Sequence, residues 1–346
     1  METKRPRKFK CFPVKQILEA WRDPTPNISD YLPRRRITGT LYVFVPQEPT
    51  FPWDSKPCPT AAAYKRRCNL VFIVGNYADV DNLRRITGVE DIEVIPYKTA
   101  WFDIAYTRLS KAHNADTFYR NNYTFDKLFI SLNNRIRDYR THFVDTLFKY
   151  DLDGYVSFLQ IDENTKKQFQ YWKNPRILEL QIKERNNINK YLYKLPNQWY
   201  RAPIHLISET FNTPLPNGDI DISEKTTYPL LLGKPFLVAG PVDFHKHLGD
   251  LGFELYTEIF DYSFDSIENY EQRVDAMLRM VSELQYESYY ELYDQCFAKA
   301  KRNAQYSIDF MNRERPQIIN DMAKPLSKWI TLDASVDNLS VSFKIP

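Results

Sequence analysis

The stretch Ile204-His-Leu-Ile-Ser-Glu-Thr-Phe211, followed by Ile222-Ser-Glu-Lys-Thr-Thr-Tyr-Pro-Leu-Leu-Leu-Gly-Lys-Pro-Phe-Leu-Val-Ala-Gly240, decides the reading of the fold. A short apolar run, Ile204–Ile207, ends beside Glu209. A polar, proline-containing loop, Asn212–Asp221, then leads to Ser223-Glu224-Lys225-Thr226. Ser223–Leu232 reads as a helix that Gly233 terminates, and Phe236–Ala239 as the next strand. Strand, loop, helix and strand in this order describe a unit of a buried parallel sheet. Ligands of such sheets bind outside the carboxyl ends of the strands. A glutamate placed there can accept hydrogen bonds from ribose hydroxyls. A lysine beside a helix N-terminus can neutralise a diphosphate, helped by the helix dipole and the free N–H groups.

The same alternation extends outwards. Leu41–Val45, Leu70–Val74 and Ile92–Pro96 read as strands of a first series, behind a Pro- and Arg-rich arm over residues 1–36. After the polar stretch His113–Asn122 a second series begins with a strand at Lys127–Leu132 and a helix at Tyr139–Tyr150. That helix carries Phe143, Val144, Leu147 and Phe148 on one face. Tyr155–Leu159 reads as a further strand. Ile267 to about Arg313 reads as one long helical stretch, with Val274, Leu278, Val281 and Leu284 on a stripe, and Asp333–Ile345 as a returning strand. The expected fold is α/β, with two Rossmann-like domains facing across a cleft: residues 1–125, residues 126–312, and a C-terminal returning segment, 313–346.

Composition narrows the function classes. Of 346 residues, 43% are hydrophobic and 26% charged, which excludes a largely disordered chain or a fibre. Only 9 glycines stand against 22 prolines, and neither G-x-G-x-x-G nor G-x-x-x-x-G-K-[ST] occurs, so a Gly-rich phosphate loop is not expected. No apolar run approaches the roughly 20 residues of a membrane span, and the basic segment Met1–Val14 has no apolar core behind it. Cys11, Cys58, Cys68 and Cys296 lack C-x-x-C spacing and read as reduced thiols, consistent with a cytoplasmic protein. The formal net charge of +3 is uneven: residues 1–125 hold 20 Lys+Arg against 13 Asp+Glu, and the remainder 27 against 31. A basic first part suits an anionic partner.

Ser-Glu-Lys-Thr, the helix and Gly-Lys-Pro-Phe-Leu-Val-Ala-Gly240 resemble the nucleotide-sugar-binding signature of fucosyltransferase-like glycosyltransferases of the two-Rossmann type, GT-B. Ser131-Leu-Asn-Asn-Arg-Ile-Arg-Asp-Tyr-Arg140-Thr-His-Phe-Val-Asp-Thr-Leu147 resembles the segment that opens the family's donor domain. The resemblance covers roughly residues 127–312, including Asn303, and does not reach the first 125 residues. It implies that Arg140 and Lys225 contact the donor diphosphate and Glu224 the nucleoside ribose, with Glu209 and Thr226 in the same pocket and Asn133 and Arg135 in support. The longer loop at Asn212–Asp221 departs from the family pattern, as does the missing anchor of secretory-pathway members, which suits a bacterial or viral enzyme of the cytoplasm. The resemblance implies sugar transfer from a nucleotide-sugar co-substrate to a hydroxyl acceptor, inverting and metal-independent, with no separate cofactor.

An inverting transfer needs a base for the acceptor hydroxyl. Glu48, after Leu41–Val45, and Asp79, after Leu70–Val74, occupy the expected strand ends of the first series, with Asp103 third. The triplets Asp79-Val-Asp81, Asp151-Leu-Asp153 and Asp219-Ile-Asp221 could hold a divalent metal, but Asp151 and Asp153 read better as a turn before Gly154. His245-Lys-His247, the one close histidine pair, reads as a surface helix start. The acceptor expected from the resemblance is a glycan. The alternative is a hydroxylated base of DNA, gripped by Lys65-Arg66-Arg67 and flipped against Trp53 or Trp101. A reading of another class is a non-catalytic or virion-associated binding protein that retains the fold.

The nucleic-acid alternative is testable. Duplex DNA affinity should then fall steeply with salt, with a logarithmic slope near −0.9 per neutralised phosphate, and joint replacement of Lys65, Arg66 and Arg67 by alanine should flatten it by up to about three such units. A protein that ignores DNA at low salt, or a triple variant with the parental slope, assigns the cluster to solvated surface and favours the carbohydrate acceptor.

Overall fold

The computed structural model describes residues 39–45, 68–75, 93–97, 102, 105–106, 124–135, 137–160, 197–214, 220–323, 330–334 and 339–343. The chain divides into two units, residues 1–100 with 311–346, and residues 101–310. The first unit holds a parallel sheet in the order β1 (Gly39–Val45), β2 (Cys68–Gly75), β3 (Glu93–Tyr97). The expected C-terminal return is not one strand but an antiparallel hairpin, β8 (Ile330–Ala334) with β9 (Leu339–Phe343).

The second unit is built on a four-stranded parallel sheet. Its strands are β4 (Phe129–Arg135), β5 (Gly154–Gln160), β6 (Ile204–Ser208) and β7 (Phe236–Ala239), ordered β5-β4-β6-β7. The short apolar runs form strands because both faces are covered: Phe129, Ile130, Phe158, Ile204, Leu206 and Leu237 are all buried. Gly154 opens β5 opposite Phe129, where a Cβ would lie 2.2 Å from the Phe129 ring, so a larger residue there forces the ring aside.

Among the described residues five helices follow β4: α1 (Asp138–Lys149), α2 (Glu224–Leu231), α3 (Phe244–Asp250), α4 (Tyr270–Leu284) and α5 (Tyr289–Ala323), whose residues from 311 on belong to the first unit. α1 buries Phe143, Val144 and Leu147, and α4 buries Val274, Met277, Leu278 and Val281; the two helices pack on each other. Gly233, at φ 61, closes α2 with hydrogen bonds from its own N–H to Leu230 O and from Lys234 N–H to Pro229 O. The stretch expected as one helix from Ile267 to Arg313 is two. α4 ends at Leu284 with Gln285 as its C-cap, and Ser288 starts α5 by accepting a hydrogen bond from the Glu291 N–H at 3.4 Å, the first half of a capping box. No helix among the described residues is long and apolar enough to cross a membrane.

β7 is an edge strand, and a buried pair closes its edge. The Val238 N–H donates to His245 Nε2 at 3.1 Å, and His245 Nδ1 lies 2.7 Å from Asp265 Oδ1. Nε2 must therefore accept, so the imidazole carries its proton on Nδ1 and gives it to Asp265. Asp265 also accepts from the N–H groups of His245 and Lys246 and so caps α3. Burial opposes ionisation of Asp265, yet these bonds hold its carboxyl below the usual range. His245 thus lies buried in the fold, not on a surface helix start, because the edge strand needs its acceptor.

At the amino end of the sheet, Lys234 is buried and donates to the carbonyls of Trp199 and Ala202, under the Phe125 ring. Burial pushes its pKa down to about 7. Nearby His205, edge-on to Trp199, is pushed down to about 3 by burial and by Lys234. Both groups bind protons less tightly folded than unfolded, so the unfolded chain takes up more protons and stability rises with pH across each window. The His205 contribution is lost as pH falls from 6.5 towards 3, and the Lys234 contribution grows from about 7 to 10.5. Urea unfolding across pH should show the parental protein gaining up to about 1.4 kcal/mol per pH unit in the upper window, a gain that Lys234→Met lacks. Equal slopes in the two proteins would contradict this.

Candidate functional site

The strand order places a reversal between β4 and β6. β4 leads through α1 outwards to β5, and the chain returns to the other side of β4 to form β6, from which α2 leads outwards to β7. With right-handed crossovers running in opposite directions, α1 and α2 belong on opposite faces, and the switch point at the carboxyl ends of β4 and β6 is where a sheet of this kind is expected to offer its crevice.

Glu209 sits at the floor of that end, directly after β6, with 0% exposure. Its carboxylate accepts from the Thr210 N–H at 2.8 Å, the Ser223 N–H at 2.7 Å, the Ser223 hydroxyl at 2.5 Å and the Thr226 hydroxyl at 3.1 Å. Every donor after the first belongs to the start of α2, so Glu209 staples that helix to the end of β6. Ser223 caps the helix in turn, accepting from the Lys225 N–H. The Lys225 side chain is 20% exposed and its Nζ donates to Thr210 Oγ1 at 2.7 Å and Glu224 Oε1 at 3.2 Å, with Glu209 Oε2 at 4.0 Å. Glu224 and Lys225 are thus partly exposed at the helix N-terminus, while Thr226 is buried beneath them.

α1 closes the other side. Arg140 is buried and its Nη2 donates to Glu209 O at 3.2 Å; burial lowers its pKa, against the pull of nearby Glu209 and Glu224. Arg137 Nη1 donates to Thr210 O at 3.2 Å, and the Tyr139 hydroxyl donates to the same carbonyl. Asn133, on β4, is buried; its N–H donates to Ser157 Oγ and its amide Nδ2 to Ser131 Oγ. Arg135 ends β4 opposite Gln160. From α4, the buried Arg273 donates to Gly240 O at 2.8 Å and Asn212 O at 3.3 Å, and Tyr270 donates to Tyr139 O.

The structure therefore gathers Arg140, Glu209, Glu224, Lys225 and Thr226 at one end of one sheet, with Asn133 on the adjoining strand. Arg137, Tyr139 and Arg273 join them, none of which the sequence reading singled out. The density of arginine after β4, at positions 135, 137 and 140, signalled the first. Arg273 sits on the apolar stripe of α4 beside Val274, and a charge on such a stripe marks a buried role. Arg137, Arg140 and Lys225 stand here with Glu209 and Glu224, Lys225 paired to Glu224 at 3.2 Å, and α2 adds its positive dipole end. Glu48, Asp79, Asp103, Lys65, Arg66, Arg67, Trp53 and Trp101 lie outside the described residues. Asn303 ties α5 to Glu254 and Tyr256 through its amide. Among the described residues no three His, Cys, Asp or Glu side chains gather as metal ligands, and Cys296 is a buried thiol pushed up to about 12 by burial. A surface hollow of about 630 Å³ runs along Leu255–Ser263; Glu258 and Asp261 line it, and Lys299 pairs with Glu258 at 2.9 Å.

No family model matches this chain, and no curated protein matches it.

Glu209→Ala should strand four buried donors and lower the unfolding free energy by about 3–5 kcal/mol. Glu209→Gln, which keeps the shape but loses the charge, should cost about 1.5–3 kcal/mol. Urea unfolding at pH 7 measures both, and a loss below about 1 kcal/mol in the alanine variant would show that the carboxylate does not hold α2.

Proposed function

We propose that the protein is a glycosyltransferase that binds a nucleotide-sugar at the carboxyl ends of β4 and β6. One observation carries this reading: Arg137, Arg140 and the N-terminal turn of α2 with Lys225 converge on the single short loop Glu209–Thr210. A fixed cluster of cations beside a helix N-terminus suits a diphosphate, whose charge grows as it leaves. The likeness of residues 127–312 to the fucosyltransferase-like donor domain supports the same assignment. In this reading Arg140 and Lys225 neutralise the diphosphate, and Glu224, partly exposed at the rim, accepts from the ribose hydroxyls. Glu209 works from beneath, by keeping α2 in place.

The transfer proposed is an inverting displacement. The acceptor oxygen attacks the anomeric carbon as the bond from that carbon to the diphosphate oxygen breaks. The hydroxyl proton passes to a carboxylate of the first part of the chain, Glu48 or Asp79, and the negative charge ends on the nucleoside diphosphate. A glycan is the acceptor that the family likeness favours, and the basic first 125 residues keep a hydroxylated DNA base as the alternative.

Isothermal titration with nucleoside diphosphates tests the donor site. Arg140→Ala and Lys225→Ala should each weaken binding by about 1.5–3 kcal/mol, roughly tenfold to over a hundredfold, with far-UV circular dichroism unchanged. Parental affinity in both variants would remove the donor site from this crevice. Binding of no nucleoside diphosphate by the parental protein would favour a non-catalytic role for the fold.

A further inference from the structure

Arg273 is 3% exposed and makes no ion pair among the described residues. Its Nη1 donates to Ile267 O and, at 3.1 Å, to Glu268 O; its Nη2 donates to Gly240 O at 2.8 Å and Asn212 O at 3.3 Å. One side chain thus binds the loop after β6, the end of β7 and the lead-in to α4. A guanidinium buried against carbonyls and the Tyr270 ring is costly: burial lowers its pKa, against the pull of Tyr270, Asp265, Glu268 and Asp243. No other side chain replaces it, because asparagine and glutamine offer two donors and lysine a flexible tetrahedral group, whereas arginine carries five N–H groups in a rigid plane.

The grip is two-ended. One turn before Arg273, Tyr270 packs its ring 5.9 Å from Tyr139 and donates to Tyr139 O, while the Tyr139 hydroxyl donates to Thr210 O. The first turn of α4 therefore holds the loop 209–212 at Asn212 directly and at Thr210 through Tyr139. Thr210 Oγ1 is the acceptor of Lys225 Nζ. A path of contacts, Arg273 to Asn212 to Thr210 to Lys225, connects α4 to the N-terminal turn of α2.

We propose that Arg273 is a positioning residue of the crevice: it fixes the loop 209–212 so that Lys225 and Arg140 face one diphosphate. The diphosphate part of this proposal rests on the donor-site reading above; the loop-holding part does not. Three variants test it: Arg273→Lys, Arg273→Met and, as a control at the other end of the sheet, Lys234→Met. Amide hydrogen exchange should be about tenfold faster at residues 209–213 in Arg273→Lys, with residues 204–206 and 236–238 as in the parental protein. UDP and GDP titrations should show binding about tenfold weaker or more in Arg273→Lys and weaker still in Arg273→Met, while Lys234→Met keeps parental affinity.

Parental exchange at 209–213 in Arg273→Lys overturns the proposal. So does a uniform rise across the sheet, or an equal loss of nucleotide affinity in Lys234→Met, since either makes Arg273 merely a stability residue. If Arg273→Met does not fold, Arg273→Lys alone decides. If the parental protein binds neither UDP nor GDP, the donor-site reading falls, and local exchange at 209–213 still decides whether Arg273 holds the loop.

Discussion

A carboxylate sealed from water must find its hydrogen bonds within the protein, and the way Glu209 finds them organises the second unit. Its four donors come from its own neighbour and from the first residues of α2, so the end of β6 and the start of α2 cannot separate without exposing a buried charge. The staple thus sets the contact of β6 with α2, and at the end of the intervening loop Ile220 and Asp221 are buried as well. Lys225 follows from the same constraint: once α2 is pinned, the second residue of the helix stands over Thr210 at the mouth of the crevice. The arginines of α1 close the opposite side by reaching the backbone carbonyls of the same two residues, Glu209 and Thr210.

The buried charges divide by end of the sheet. At the carboxyl end Glu209 and Arg273 each make four hydrogen bonds and Arg140 reaches the Glu209 carbonyl, which holds their positions at little reorganisation cost. At the amino end Lys234 has two carbonyl acceptors and His205 an aromatic neighbour, and both are pushed towards neutrality. The edge of β7 is handled in a third way, by His245 and Asp265 standing in for a missing strand. The carboxyl end is the one that the proposed donor site uses, and the other two solutions serve the fold.

The strands and α2 were legible in the sequence because an uninterrupted apolar run is a strong sign of a strand covered on both faces, and Gly233 is a strong stop. The joint between α4 and α5 was missed because the apolar stripe continues in register through it; the capping pair Ser288 and Glu291 was the available signal. The hairpin of β8 and β9 was read as one strand, since only pairing partners define the turn. At the site, positions were legible but orientations were not. Glu209 could be placed at a strand end, yet the donors that turn its carboxylate inwards lie 14 to 17 residues away in sequence. Arg273, 61 residues from the carbonyl it holds at Asn212, left only the trace of a charge on an apolar stripe.

The account stands on the crevice at β4 and β6 being an anion site built by the Glu209 staple. A crystal of the protein soaked with a nucleoside diphosphate measures this most directly. The account predicts density for the diphosphate at the N-terminal turn of α2, with a phosphate oxygen about 2.7–3.2 Å from Lys225 Nζ and the Glu209 carboxylate still bonded to Ser223 and Thr226. Density for the nucleotide elsewhere on the chain, or a bound nucleotide reached only by Glu209 turning outwards from α2, would contradict it.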